Sequence, residues 1–206
     1  MDSKGGFYPF KLMVITIFIL LSLVVVPAGA ADSATQVIEN LHAELLAVMK
    51  QAKELGYEGR YQRLDPIVTS SYDLPFIAKF VMGRHWKTLN GEQKSEFVET
   101  FTKLSIATYA ANFSGYSRER FKTMSNEQLR KGRVLVKSVL VRSSGGEVTL
   151  DYVLHQRENR WRIINAIAEG VSDLSLKRAD YSSYLKKKGC DALLKKLNEK
   201  IQNYAK

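Results

Sequence analysis

The side chains that could carry acid–base, nucleophilic or metal chemistry are few and scattered: Asp151, Glu169, Ser172, Cys190 and three histidines, His42, His85 and His155. No two histidines fall in an HxxH or HExxH pattern, so the spacing predicts no metal site. Gly170-Val171-Ser172 lacks the second glycine of a nucleophile elbow, and there is no glycine-rich phosphate loop. Cys190 follows Gly189 and opens the last predicted helix; it reads as a small helix-start residue, the alternative being a redox thiol whose pKa the helix dipole lowers. Asp151 and Glu169 fall on predicted strands. A small α+β enzyme with one of them in an apolar pocket is one reading; Asp151 facing solvent and Glu169 paired with Arg178 is the other. No catalytic residue is assigned.

The elements that must position these groups begin after an address. Lys4 and Lys11 precede an uncharged run, Leu12–Val26, which is too short for a membrane span and breaks at Pro27 before Ala28-Gly29-Ala30. Residues 1–30 therefore read as a cleaved secretory signal peptide, and 31–206 as one exported, periplasmic domain. The chain holds 31 Lys+Arg against 21 Asp+Glu, a formal net charge of +10. Nine of the basic residues and three acids fall within 177–206. Such a balance attracts phosphate, but no nucleic-acid recognition motif is present and export makes nucleic acid a poor partner; anionic headgroups suit the same charges better. A single cysteine excludes an internal disulfide framework.

Helices come first. Val37, Leu41, Leu45 and Val48 form a helical stripe that Gly56 and Gly59 are expected to end. Asp65-Pro66 reads as the start of a short turn. Asp73-Leu74-Pro75 has the form of an N-cap with proline in the first turn, opening a helix that stops at Gly83. Asn90-Gly91-Glu92-Gln93 has the form of a capping box opening the longest helix, with Phe97, Phe101, Leu104, Thr108 and Ala111 along one seam and Ile106, Tyr109, Ala110 and Phe113 widening it.

The period then changes from 3.6 to 2. A short strand near Phe121–Met124 and three longer ones over 133–143, 147–156 and 161–169 are separated by hairpin-length breaks. Val148, Leu150, Tyr152 and Leu154 share one strand face, as do Trp161, Ile163, Asn165 and Ile167 in the next; alternation leaves open which way each face points. A final helix carries Leu193, Leu194, Leu197, Ile201 and Tyr204. Helices, a meander and helices again define an α+β domain.

Several spaced blocks in one order resemble the MlaC family of periplasmic phospholipid-binding (toluene-tolerance auxiliary) proteins. They are Tyr72–Trp86, the long helix with Glu92-Gln93, Phe97, Phe101 and Thr108-Tyr109, then Asp151-Tyr152, Trp161-Arg162-Ile163, Glu169-Gly170-Val171-Ser172, Arg178 and Tyr181. Ala107–Phe113 and Tyr61–Pro66 are most similar to the branch associated with hopanoid biosynthesis (HpnM). Asn165 stands where many relatives carry aspartate, so a neutral hydrogen bond is expected there.

The resemblance implies a curved four-stranded antiparallel sheet of NTF2/cystatin-like form, covered by helices around an apolar lipid cavity. It implies no enzyme activity and no cofactor beyond bound lipid. It also implies a phospholipid or hopanoid ligand and transient membrane contact. The implied partners are an MCE-domain protein of an inner-membrane ABC transporter and an outer-membrane lipoprotein complex. The expected cavity lining is Tyr109, Phe113, Val148, Leu150, Tyr152, Leu154, Trp161, Ile163 and Ile167. Arg178, Lys186, Lys187 and Lys188 are the expected headgroup or partner contacts. A non-lipid adaptor with a filled core is the remaining alternative.

Overall fold

In the computed structural model the described residues are Met1 and 33–206; the expected signal peptide lies outside them. Ser33 accepts a hydrogen bond from the Gln36 amide (3.1 Å) and starts α1 (Ala34–Lys50). Leu41, Leu45 and Val48 are buried on its inner stripe, as predicted, but Ile38 rather than Val37 completes it. The predicted stop at Gly56 and Gly59 is replaced by a bend. The chain turns once at Gln51 and re-enters helix as α2 (Ala52–Ser71), in which Gly56 takes a φ of 59° and Pro66 lies inside. Helix resumes beyond Gly56 because Arg60, itself buried, ties the bend together: its Nε donates to the Ala110 carbonyl (2.8 Å) and its Nη1 to that of Ala52 (3.1 Å).

Two predicted caps are present as read. The Asp73 carboxylate accepts from the Phe76 amide (3.1 Å) to start α3 (Leu74–Met82), which ends at Gly83 with a φ of 55°. A 3-10 turn (Gly83–Thr88) leads to α4 (Gly91–Asn112), opened by the reciprocal box: Asn90 Oδ1 accepts from Gln93 N (2.8 Å) and Gln93 Oε1 from Asn90 N (3.0 Å). Along α4, Phe97, Thr100, Phe101, Leu104, Ile106, Ala107 and Ala110 are buried, a stripe wide enough to meet neighbours on two sides.

The sheet is an open antiparallel meander: β1 (Arg120–Leu129), β2 (Arg133–Val141), β3 (Glu147–Arg157), β4 (Arg160–Ala168) and a two-residue β5 (Val171–Ser172), in that spatial order. The strands thus number five rather than four, and β1 is longer than expected because it pairs along the whole of β2. Glu158 and Asn159 both adopt positive φ (52° and 59°), the type I′ geometry that fits the twist of a two-residue hairpin. α5 (Asp173–Tyr204) closes the chain, with Gly189 at a φ of 81° breaking it midway.

Register decides which side chains meet the helices. Val134 opposes Leu154 and Val136 opposes Tyr152, and all four are buried in the main core with Ile163. In β4 one extra residue enters the ladder: Val153 pairs with Asn165, but Leu154 pairs with Ile163. This β-bulge shifts the alternation by one residue. Trp161 and Ile163 keep the core-facing parity, but Ala166, opposite Tyr152, takes it over beyond the bulge. Ile167 pairs with Asp151 and lies on the other face, so the expected single seam through Ile167 is corrected.

Candidate functional site

A cavity of about 170 Å³ opens where the C-terminal half of α4 meets the start of α5. Val68, Leu74, Ile77 and Phe101 form its apolar depth, and Ala166 of β4 its wall on the sheet side. Ser105, Thr108 and Asn112 come from α4 at steps of three and four residues, which places them along one helical line, with Tyr109 beside Thr108. Tyr72 and Tyr109 meet side by side in its wall, and Asp173, exposed like Asn112, and the half-buried Lys177 of α5 stand at its mouth.

Local structure places each group. Tyr72 sits at the α2–α3 junction, where its main chain bridges to Ile163 and the next amide, Asp73 N, donates to the Ile163 carbonyl (2.9 Å). The junction is thereby sewn to β4. Asp73 is locked in turn by His155 Nε2 (2.8 Å) and Arg157 Nη1 (3.0 Å), and its side chain is only 3% exposed. The hydroxyls of Tyr72 and Tyr109 lie 2.5 Å apart. Burial pushes the Tyr109 phenol up to about 12, and pushes those of Tyr72 and Tyr152 well above the ordinary tyrosine value. All three remain neutral hydrogen-bonding groups at any physiological pH.

The hydroxyls on α4 are turned inward to their own helix: Ser105 Oγ donates to the Phe101 carbonyl (2.8 Å) and Thr108 Oγ1 to that of Leu104 (2.7 Å). Their protons are used, so they present acceptor lone pairs to the cavity. In the tyrosine pair one hydroxyl donates to the other, leaving a single O–H free. The cavity is therefore apolar at depth, with a few oriented polar atoms nearer its mouth and one ion pair, Lys177 with Asp173, at the rim.

The sequence-predicted residues are distributed unevenly around this site. Tyr109 lines it. Phe113 instead stacks on Tyr109 (ring centroids 5.6 Å) and reaches toward Phe121 (6.3 Å). Tyr152, Leu154 and Ile163 are buried core; Leu150 and Trp161 are half-buried against it, and Val148 is half-buried further along β3. Tyr152 holds His42 through a 3.1 Å hydrogen bond, and that ring stacks on Phe121 at 4.1 Å. Arg178 is exposed and occupied: its Nη1 donates to the Phe80 carbonyl (2.7 Å) while its guanidinium covers the Phe80 ring (4.5 Å). Lys186, Lys187 and Lys188 are exposed on the turn before Gly189. Tyr72, Ala166, Asp173 and Lys177 were absent from the predicted set. The polar line Ser105, Thr108, Asn112 within an otherwise apolar α4 face is the sequence signal that marks this wall, and it is not among the features read from the sequence above.

The groups considered for catalysis lie elsewhere. Asp151 Oδ1 accepts from the Ser138 amide (3.3 Å), and Glu169 Oε1 from the Thr149 amide (2.5 Å) rather than from Arg178. Ser172 caps α5 by accepting from Ser175 N (3.1 Å). The redox alternative for Cys190 finds no support in its surroundings: partial burial, with Asp191 and Glu96 nearby, pushes the thiol up rather than down. Asn165 makes the neutral bonds anticipated for it, with Oδ1 accepting from Ser172 Oγ (3.0 Å) and Leu174 N (3.3 Å).

An open antiparallel sheet whose inner face is roofed by helices, with an apolar cavity between them, defines an α+β ligand-binding module. Residues 39–199 match the family model described as MlaC protein, and the chain belongs to the MlaC family. It is 23% identical over 197 residues to the intermembrane phospholipid transport system binding protein MlaC of Haemophilus influenzae, covering 92% of each chain. Its fold is also that of a phospholipid-binding protein from Ralstonia solanacearum, solved in complex with a phospholipid. That match has a TM-score of 0.75 and 20% identity over 85% of this chain and all of the other.

Proposed function

We propose that the mature chain is a periplasmic lipid carrier, not an enzyme, that shelters the acyl chains of a phospholipid between helices and sheet. On this reading it shuttles lipid between the outer and inner membranes as the soluble component of an ABC/MCE transport system, with an outer-membrane lipoprotein complex as its other partner. The observation that carries the reading is the cavity, lined by buried apolar side chains with its two charged residues at the exposed rim, in a chain of the MlaC family.

The physical need is plain. An acyl chain exposed to water costs about 0.8 kcal/mol per CH₂, so an uncatalysed aqueous crossing is slow. A protein cavity exchanges one apolar surrounding for another, and loading remains reversible although much area is buried. A 150 Å³ apolar cavity holds a guest about the size of benzene, so about 170 Å³ is far too small for two acyl chains. Loading therefore requires α4, α5 and the sheet to part. The Lys186–Lys188 turn of α5, three consecutive exposed lysines, supplies cationic contact with anionic headgroups or an acidic partner.

Organic extraction of the purified mature protein, with native mass spectrometry, tests the proposal. A co-purifying phospholipid is the expected result. A hopanoid would redirect the reading to triterpenoid lipids, and a protein that stays lipid-free after incubation with liposomes would sink it.

A further inference from the structure

We infer that Asp173 and Lys177 form a headgroup subsite selective for zwitterionic phospholipids that carry an ammonium group, with phosphate on Lys177 and ammonium on Asp173. The inference rests on the phospholipid-carrier reading above and names the lipid class that the same cavity prefers.

Asp173 and Lys177 stand one turn apart on α5, so they project from one face. Among the residues lining the cavity they are the two that carry charge, and they carry opposite charges. Their position is at the mouth, where a headgroup must sit if the tails occupy the apolar depth formed by Val68, Leu74, Ile77 and Phe101. The Lys177 side chain, 24% exposed, is packed more deeply against the cavity rim than that of Asp173, 56% exposed. That ordering matches a lipid entering tail first. Phosphate lies nearer the glycerol than the terminal amine does, and therefore meets the inner, cationic group.

In the structure the two side chains satisfy each other. An exposed i,i+4 pair of this kind contributes little net stability, so exchanging it for two contacts with a zwitterion carries a small penalty. The formal charge of the mouth stays at zero before and after such an exchange. An anionic headgroup without an amine takes Lys177 but leaves the Asp173 carboxylate facing it unpaired, a repulsive element that discriminates against that class. The α5 first turn does not supply a rival anion site, because its leading amides are already used: Leu174 N bonds Asn165 and Ser175 N bonds Ser172.

Mature protein stripped of lipid is incubated with vesicles of equimolar dioleoyl phosphatidylethanolamine and dioleoyl phosphatidylglycerol, repurified, and its bound lipid extracted and quantified. The native protein is expected to enrich phosphatidylethanolamine about two- to five-fold over the vesicle ratio. Asp173→Asn, which keeps shape and removes charge, is expected to lose that enrichment while still loading lipid. Lys177→Gln is expected to lower loading of both lipids. If native protein loads both lipids at the vesicle ratio, or if Asp173→Asn retains the enrichment, the subsite is overturned while the carrier reading stands. If native protein loads neither lipid, the carrier reading falls and the subsite with it.

Discussion

The Tyr72 hydroxyl lies 2.5 Å from that of Tyr109, joining the α2–α3 junction to α4 across the wall of the cavity. Each phenol is the other's polar partner in a buried setting. Tyr72→Phe alone strands the Tyr109 hydroxyl and is expected to cost about 1–3 kcal/mol, whereas Tyr72→Phe with Tyr109→Phe removes both polar groups and costs less than the two single changes summed. Urea denaturation of the four proteins in a double-mutant cycle measures the coupling. A purely additive result would show that the pair does not interact.

Asp73 is expected to be the most stability-critical carboxylate of the domain. It caps α3 and accepts from His155 and Arg157 while almost wholly buried. Asp73→Ala removes the cap and the acceptor shared by His155 and Arg157, of which Arg157 is half exposed and keeps Glu158, for an expected loss of about 2–3 kcal/mol. Thermal unfolding should show a drop of many degrees, against little change for Asp180→Ala, whose pair with Lys196 is exposed.

His42 makes stability depend on pH. Burial lowers its pKa from 6.5 to about 4 in the folded protein. The unfolded chain therefore binds a proton first as pH falls. The stabilisation is fully present above about pH 6.5 and drains away between there and about pH 4, at most about 3 kcal/mol in all. Urea midpoints measured from pH 7 to pH 4.5 should fall more steeply for the native protein than for His42→Phe. Parallel slopes would mean that His42 titrates normally in the fold.

Ala166 and Ile167 offer a test of strand parity. Ala166 lines the cavity, and Ile167 is on the other sheet face. Ala166→Phe is expected to fill the cavity and abolish lipid co-purification, at an overpacking cost of about 1–3 kcal/mol. Ile167→Phe should keep its lipid. Equal lipid content in the two variants would refute this placement.

The Lys186–Lys188 turn should govern attraction to membranes rather than capacity. Replacing all three with alanine removes about 3 kcal/mol of attraction to an anionic bilayer at low salt, taking about 1 kcal/mol for each lysine near the surface. Sedimentation with anionic vesicles should report weaker binding that becomes indistinguishable from native at high salt. An unchanged salt profile would move the docking face elsewhere.

Much of this architecture is written locally. Asp73 with Pro75 and Asn90 with Gln93 are caps whose hydrogen bonds span three residues, and both form as read. The hairpin turns at Gly145 and at Glu158-Asn159 are likewise local, set by loop length and by the ease with which Gly145 and Asn159 take positive φ. Gly56 bends a helix where its residue type alone suits ending one equally well, since a positive φ serves either purpose. The buried guanidinium of Arg60, bonded to Ala110 some fifty residues away, decides for the bend.

The sequence by itself determined the order of elements, the α+β class, the wide apolar seam of α4 and the blocks that mark the family. These are set by residue type and by periods of 2 and 3.6, interactions that reach no further than one turn or one strand step. Only the tertiary structure decided which residues surround the cavity. One extra residue at the β4 bulge moves Ile167 off the inner face and brings Ala166 onto it. The docking of α5 against α4 sets Asp173 and Lys177 at the mouth beside Tyr72 and Tyr109. Alternation in a strand says which side chains travel together but carries no sign, and that sign comes from partners distant in the chain.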